Sequence, residues 1–385
     1  MSVIEHSGPA RTGVRSGLLR AQIVLVSYDT LVRDVSLFKR IVWDKLIVDE
    51  AQAIKNPSTK RSTAIKAVPR TMSIAMTGTP VENQLTDLWS IIDFCVPGLL
   101  GSLQQFESQH QGDPKETVQL LAQKVAPLIL RRHLLDVVRD LPEKIESFSP
   151  LRMDRRSAEA YETVRAAGTS ERHGALGLVS SLRQFCCHPA TLSDRYGTAL
   201  RSLSPDQSPK YQRLVEILDE VIASGEKCIL FSPFHRFTDL AVDDLGARFG
   251  VWSASLDGRT PAAQRQSLVD VFSRQPGSAI LVLGPRAAGV GLNIVAANHV
   301  IHYCPEWNPA VMDQATARAH RIGTTARVRV HYLYYADTIE EVMMERLARK
   351  RVLADAALSE ASEDVPSDVD LMRALSLSPA GGNYE

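Results

Sequence analysis

Nowhere in the 385 residues does a lysine follow a glycine. The loop Gly-x-x-x-x-Gly-Lys-Ser/Thr, whose amides and lysine cradle phosphates, is therefore missing from this sequence. Net charge is missing too, with 44 Lys and Arg against 44 Asp and Glu. Any basic surface for a polyanion must then be local. No apolar run is long enough for a membrane helix, and Met1–Arg20 lacks the apolar centre of a signal peptide. A cytoplasmic location and no membrane partner are the expectation. Cysteine is scarce and unpaired in spacing: Cys95, Cys186, Cys187, Cys228 and Cys304 sit mostly in apolar stretches. This pattern reads as reduced core thiols, and adjacent Cys186, Cys187 and His188 have the wrong spacing for zinc.

What remains is an ordinary globular composition, 44% hydrophobic and 23% charged, long enough for two or three domains. Three short apolar runs, Gln22–Tyr28, Lys45–Val48 and Met72–Met76, predict strands of a parallel sheet covered on both faces. Residues from Leu85 to Lys144, and again from Asp154 to Leu192, read as mainly helical. A second α/β block begins near Ser208. Its opening helix, Pro209–Ser224, places Tyr211, Leu214, Val215, Leu218 and Ile222 at helical period. Strand-like runs follow at Cys228–Ser232, Val251–Leu256, Ala279–Leu283, Val300–Tyr303 and Val328–Tyr334, a complete doubly wound unit by count. The last helix opens on a capping box, Thr338 with Glu341. Beyond Leu358 the chain turns acidic and serine-rich and reads as a loosely packed tail. The expected division is 1–84, 85–207 (helical insertion and linker), 208–358, and an acidic flexible tail, 359–385.

The chemistry gathers at a few places. DEAQ at Asp49–Gln52 directly follows an apolar strand, so two carboxylates sit at the carboxyl end of a buried parallel strand, where such sheets bind ligands. A pair of this kind suits Mg²⁺ and phosphate chemistry: Asp49 as a metal residue acting through water, Glu50 beside it orienting the attacking water. Taken alone, the same letters also describe a solvated acidic pair. Thr77 and Thr79 of TGTP lie at the next strand end, although Gly and Pro equally make a simple turn. In the second block Asn308 and Pro309 suit a helix N-cap and first position. Gln314, Arg318 and Arg321 follow at spacings that put them on one helical face, able to meet a polyphosphate or simply to be solvated. Gly289 and Gly291, before Asn293, permit close backbone approach.

The segments DEAQAIKN, TGTPVEN, LRRH, LRQFCCHP, ILFSPF, LDGRT, RAAGVGLN, WNP and QATARAHRIG occur in one order over roughly residues 20–358. In this the chain resembles the Swi/Snf family of superfamily-two, DEAH-type, helicase-like DNA-dependent ATPases, of the bacterial type and truncated before the P-loop. The resemblance implies an α/β fold of two RecA-like, doubly wound parallel-sheet lobes, the first incomplete, with helical insertions between them. It implies ATP and Mg²⁺ as cofactors and duplex DNA as partner. Asp49, Glu50 and Gln52 then belong to the hydrolytic motif, and Arg318 and Arg321 are arginine-finger candidates preceded by Gln314. Thr77 and Thr79 couple hydrolysis to DNA, and Arg131 and Arg132 contact phosphate or the other lobe. Asp257, Arg265, Arg286, the loop with Gly289, Gly291 and Asn293, and Trp307 serve the motor lobe. The chain departs from the family pattern at Gln52, His133, Leu134, Ala288, Ala317 and Thr324, none of which removes a group needed for hydrolysis.

The missing loop is the larger departure. The P-loop strand is expected beside the acidic strand, so Lys45–Val48 is expected to have an unpaired side and the first lobe to be unstable alone. The expected function is part of an ATP-dependent translocase on double-stranded DNA, inactive by itself. Its partners would include an upstream chain that supplies the P-loop half, and RNA polymerase or another nucleoprotein complex. The alternative is an ATP-independent DNA-binding or protein-interaction adaptor. Retention of Asp49, Glu50, Arg318 and Arg321 favours the first, since an adaptor has no use for them.

Overall fold

The structure is a computed structural model, and it describes residues 1–9, 11–77, 85–109, 121, 123–130, 141–169, 174–192, 205–284, 291–355 and 368–381. The chain divides into two compact units, Met1–Arg131 with Leu353–Asp364, and Arg132–Val352 with Val365–Glu385.

The first unit is built on two parallel strand pairs. β1 (Val3–His6) pairs with β2 (Ile23–Val26), and β3 (Trp43–Val48) pairs with β4 (Arg70–Ala75). Short helices follow the strands. Ser27 caps Tyr28–Arg33 through the Thr30 amide, and Thr59 caps Lys60–Lys66 through the Ser62 amide. Leu18, Leu31, Phe38, Val48, Ile54, Ile65 and Phe94 form the core, with Val24, Val26 and Leu46 packed against it. Only one sheet face is filled in this way. In register, Ile47 lies opposite Ile74 and Lys45 opposite Met72. Ile47, Met72, Ile74 and Met76 are all exposed. Among the described residues, the expected cover on both faces is therefore not found on β3 and β4.

The second unit carries a six-stranded parallel sheet in the order β5-β10-β9-β6-β8-β7. Its strands are β5 (Lys144–Leu151), β6 (Lys227–Phe231), β7 (Trp252–Leu256), β8 (Ala279–Leu283), β9 (His299–His302) and β10 (Val328–Tyr335). Every residue of β8 and β9 is buried, which explains the unbroken apolar run of β8; β9 holds a buried histidine at each end. One face packs on Val269, Phe272, Met312 and Leu347, the other on Leu214, Leu218, Phe237 and Leu245. An aromatic ladder crosses four strands: Phe231 stacks on His302 at 5.3 Å, His302 on Tyr332 at 5.0 Å, and Tyr332 on Phe148 at 4.8 Å between ring centres.

Helices Arg155–Thr169, Gly174–Cys187 and Ile339–Asp355 share a further core with Tyr161, Leu182, Phe185 and Met343. The tail joins it. Asp368–Ser376 is a helix, Leu371 and Ala374 are buried in this core, and Asp370 accepts from Arg346 at 2.8 Å and Arg349 at 3.0 Å. Leu371, Ala374 and Leu375 lie at helical spacing, which is why this part of the acidic tail packs instead of staying loose. The capping box at Thr338 forms in shifted register: Thr338 Oγ1 accepts from the Glu340 amide, while Glu341 accepts from the amide of Asp337.

Candidate functional site

In the first unit the chain leaves β3 at Asp49, which is exposed, and turns sharply. Glu50 adopts φ 49°, ψ 56°, a left-handed conformation uncommon outside glycine. Asp49 Oδ1 holds that turn by accepting from the Glu50 amide at 2.9 Å. Behind it runs a short 3₁₀ helix, Ala51–Ile54, whose Ala51 amide bonds the Met76 carbonyl at 2.9 Å. The ends of β3 and β4 are thereby laced together. Gln52 completes the lacing with its side chain. Its Nε2 donates to Glu50 Oε2 at 2.7 Å, and its Oε1 accepts from the Thr77 hydroxyl at 2.8 Å. Asp49, Glu50, Gln52 and Thr77 thus meet at one end of two parallel strands.

Tyr28 belongs to the same arrangement and was not singled out by sequence. Its hydroxyl donates to the Asp49 carbonyl at 2.6 Å. Burial, reinforced by the charges of Asp49 and Glu50, pushes its phenol up to about 12. Arg61 lies 5.6 Å over the Tyr28 ring and pairs with Asp29. The available signal was the Ser-Tyr that ends the first apolar run. Among the described residues β3 pairs with β4 alone, so one edge of β3 has no strand partner, as expected, and neither has the outer edge of β4.

In the second unit the carboxyl ends of β6 and β7 carry His235 and Asp257. The Asp257 carboxylate is buried and accepts from Arg259 and from His235 Nδ1 at 3.0 Å. The Arg259 guanidinium, with burial opposing it, draws Asp257 down to about 2. Arg259 also grips Asp239. Arg265 turns back to the Thr260 carbonyl at 3.0 Å. Gly291 has φ 59°, and Asn293 beside it is exposed.

Asn308 caps helix Pro309–Thr316 through the Ala310 amide at 2.9 Å, as the Asn-Pro pair predicts. Gln314 is half-buried on that helix. The helix ends at Thr316, so Arg318 and Arg321 do not continue its stripe. The Thr316 hydroxyl pairs with His302 Nε2 at 2.8 Å, and the chain tightens into turns in which Ala319 and His320 both bond the Thr316 carbonyl. The Arg318 carbonyl accepts from the Ile294 amide at 2.9 Å, which ties the Gly291–Asn293 loop to the arginine segment. Trp307 is buried in the helical core, with Arg346 5.9 Å over its ring. Thr79, Arg131, Arg132, Arg286 and Gly289 lie outside the described residues.

A parallel α/β unit with paired carboxylates at a strand end, followed by a second parallel α/β unit, is the arrangement of an α/β protein that binds its ligand at the carboxyl ends of its strands. The profile of the SNF2-related domain matches residues 10–191, and that of the helicase conserved C-terminal domain matches 209–323. A solved Sulfolobus solfataricus SWI2/SNF2 ATPase core domain is 30% identical, covers 98% of this chain and 79% of its own, and superposes with a TM-score of 0.50. The chain belongs to the SNF2 family of ATP-dependent helicase-like proteins, with two RecA-like lobes. The Bacillus subtilis protein YwqA, whose name places it among ATP-dependent helicase/translocases, is 34% identical over 92% of this chain and 40% of its own length. The Zorya protein ZorD of Escherichia coli is 36% identical over 87% of this chain and 33% of its own. The chain thus spans about a third to two fifths of these relatives.

The family implies ATP with Mg²⁺. Exposed Asp49, with Glu50 beside it, offers the hard oxygen donors that Mg²⁺ takes. The phosphates of ATP are a different matter, because no Gly-Lys pair exists in the sequence to cradle them. Asp49 and Glu50 fit the metal.

Proposed function

We propose that this chain carries the hydrolytic carboxylates and the motor unit of an ATP-dependent double-stranded DNA translocase, and that it does not hydrolyse ATP by itself. The observation that carries this reading is the Glu50–Gln52–Thr77 hydrogen-bonded chain across the ends of β3 and β4. A hydrolase needs its water-orienting carboxylate joined to a segment that responds to the track, and Gln52 makes that join. Asp49 would hold Mg²⁺, whose charge screens the phosphate oxygens once bound. Glu50, held by Gln52, would orient the attacking water. Arg318 and Arg321 would stabilise transition-state charge, as arginine fingers do. Gln314, Gly289, Gly291 and Asn293 would serve nucleotide binding; Thr79, Arg131, Arg132, Asp257, Arg265 and Arg286 would serve DNA contact and coupling. Trp307 would act through packing in the helical core of the second unit. Duplex DNA is the track, the location is cytoplasmic and nucleoid-associated, and RNA polymerase or another nucleoprotein complex is a partner of fitting kind.

The zero net charge supports weak and strongly salt-dependent DNA binding through local basic groups. Fluorescence anisotropy with a labelled duplex tests this. Affinity falling steeply from low to moderate salt supports the reading, and affinity indifferent to salt counts against it. DNA binding that persists with no ATPase under any complementation would instead favour the adaptor reading.

A further inference from the structure

Arg259 and Arg265, which follow β7, are held by neighbouring groups: Arg259 grips Asp257 and Asp239, and Arg265 turns back to the Thr260 carbonyl. Arg321 differs. It is exposed, and its guanidinium makes no hydrogen bond or ion pair among the described residues. The turn beneath it is nevertheless closely built. The Thr316 carbonyl accepts from the amides of Ala319 and His320, each at 3.0 Å. His320 Nε2 donates to the Pro142 carbonyl at 2.7 Å. Ala319 is fully buried in the core that holds Met312 and Ala315. From this base Arg321, Ile322 and Gly323 reach the surface, and Gly323 takes φ 102°, which a side chain would strain. Thr324 closes the turn and is itself buried. Its hydroxyl donates to the Ala319 carbonyl at 2.6 Å and accepts from the Arg321 amide at 3.1 Å. One oxygen thus ties the chain before Arg321 to the chain after it. The Thr324 amide adds a bond to the Arg321 carbonyl at 3.0 Å. Both polar groups of the Arg321 backbone are therefore bonded to Thr324, one of the positions at which this chain departs from the family pattern.

We propose that Thr324 is the positioning residue of Arg321: its hydroxyl sets the turn that presents the guanidinium to a polyphosphate. The inference rests on the reading under Proposed function, in which Arg321 meets phosphate charge, and it names the group that holds the arginine there. An arginine on a loose loop must order its backbone and its long side chain together when it binds. Here the backbone is ordered beforehand, and a bound phosphate orders the side chain alone. Position 324 needs an oxygen and not only a β-branched shape. Valine would fill the same space but leave the Ala319 carbonyl and the Arg321 amide without this partner. Serine would keep both bonds. Thr316 serves differently. Its hydroxyl pairs with His302 of β9 at 2.8 Å where the helix ends, so it fixes where the turn starts rather than how Arg321 is held.

The test uses the full chain with inorganic triphosphate as probe in isothermal titration calorimetry. It compares Thr324→Val, Thr324→Ser, Arg321→Ala and the double variant Thr324→Val with Arg321→Ala. Thr324→Val and Arg321→Ala should each weaken binding about tenfold, the size of one hydrogen bond to a charged group. Thr324→Ser should bind as the parent chain does. The double variant should be no weaker than Arg321→Ala, because a residue that acts through Arg321 has nothing left to act on. A threonine with a merely structural role would lower affinity independently of Arg321, or leave it unchanged. Amide exchange supplies a readout without ligand: the Arg321 amide should exchange faster in Thr324→Val and not in Thr324→Ser. Should Thr324→Val fail to fold, the parent chain still answers. Its Arg321 amide should exchange more slowly than those of Ile322 and Gly323, which make no hydrogen bond among the described residues. Thr324→Val binding as the parent while Arg321→Ala binds less, losses that add in the double variant, or an Arg321 amide without this protection each overturns the proposal. Triphosphate binding that is absent, or that Arg321→Ala leaves unchanged, contradicts the functional reading instead, and exchange at Arg321 then decides the role of Thr324. None of these readouts uses hydrolysis.

Discussion

Gln52 accepts a hydrogen bond from the Thr77 hydroxyl at 2.8 Å while its amide nitrogen holds Glu50. The glutamine thus fixes the rotamer of the acidic residue and the position of the strand end that follows it. Replacing Gln52 by Glu puts a second carboxylate within 2.7 Å of Glu50 and removes the donor. We expect Gln52→Glu to destabilise the first unit by about 1–3 kcal/mol, and Gln52→Ala by less, because the site is partly open to water. Amide exchange across Ala51–Ile54 should accelerate in both. Unchanged exchange there would show that the bridge does not hold the turn.

Tyr28 holds the other side of the same turn. Tyr28→Phe deletes the hydroxyl that meets the Asp49 carbonyl and should cost about 1 kcal/mol. Its ionisation is a direct probe of this contact. Several tyrosines of the chain ionise late, and ultraviolet titration should count one fewer of them in Tyr28→Phe than in the parent chain.

Lys210 and Glu340 form a salt bridge with almost no solvent access, both carboxylate oxygens lying 2.7 Å from Nζ. Burial alone would lower the lysine, but Glu340 offsets this and holds it charged, above its ordinary range. The pair joins the helix that begins at Pro209 to the one that begins at Ile339. Lys210→Met should destabilise the second unit by about 3–5 kcal/mol because it strands a buried carboxylate, and adding Glu340→Met should restore most of the loss. Denaturant unfolding of the single and double variants measures both effects. A double variant no better than the single would contradict the pairing account.

Acid should also weaken the second unit. His299 Nδ1 lies 3.1 Å from His331 Nε2, and His299 Nε2 lies 2.6 Å from Glu226. Burial lowers both imidazoles, with Glu226 partly resisting this at His299, and the charge of His299 helps bring His331 down to about 4. Both are depressed, so the unfolded chain takes up these protons first. The stability they contribute is fully present above about pH 6.5 and is lost as pH falls towards about 4. Melting temperatures followed across that window should fall, and should fall less in His331→Gln. An equally steep fall in His331→Gln would remove this pair from the explanation.

Much of this architecture could be read from residue pattern. β3, β4 and the central strands of the second unit are short apolar runs that end in polar turns, and buried parallel strands must look that way. β5 escaped notice because Lys144, Glu146 and Pro150 break its apolar run, and an edge strand with one free side tolerates all three. The pairing of Arg318 and Arg321 on one helical stripe was misread for a non-local reason. The helix stops at Thr316, where the hydroxyl meets His302 of a strand before it. Asp49, Glu50, Gln52 and Thr77 were legible as strand-end chemistry. Tyr28 was not, because its partner is a backbone carbonyl 21 residues away.

The proposal at the centre of this account is that the chain carries hydrolytic carboxylates and does not hydrolyse ATP by itself. Phosphate release, measured with ATP and Mg²⁺ and with or without duplex DNA, tests it most directly. The chain alone is expected to release none above background. Release that rises with duplex DNA, and disappears in Glu50→Gln, would contradict the account.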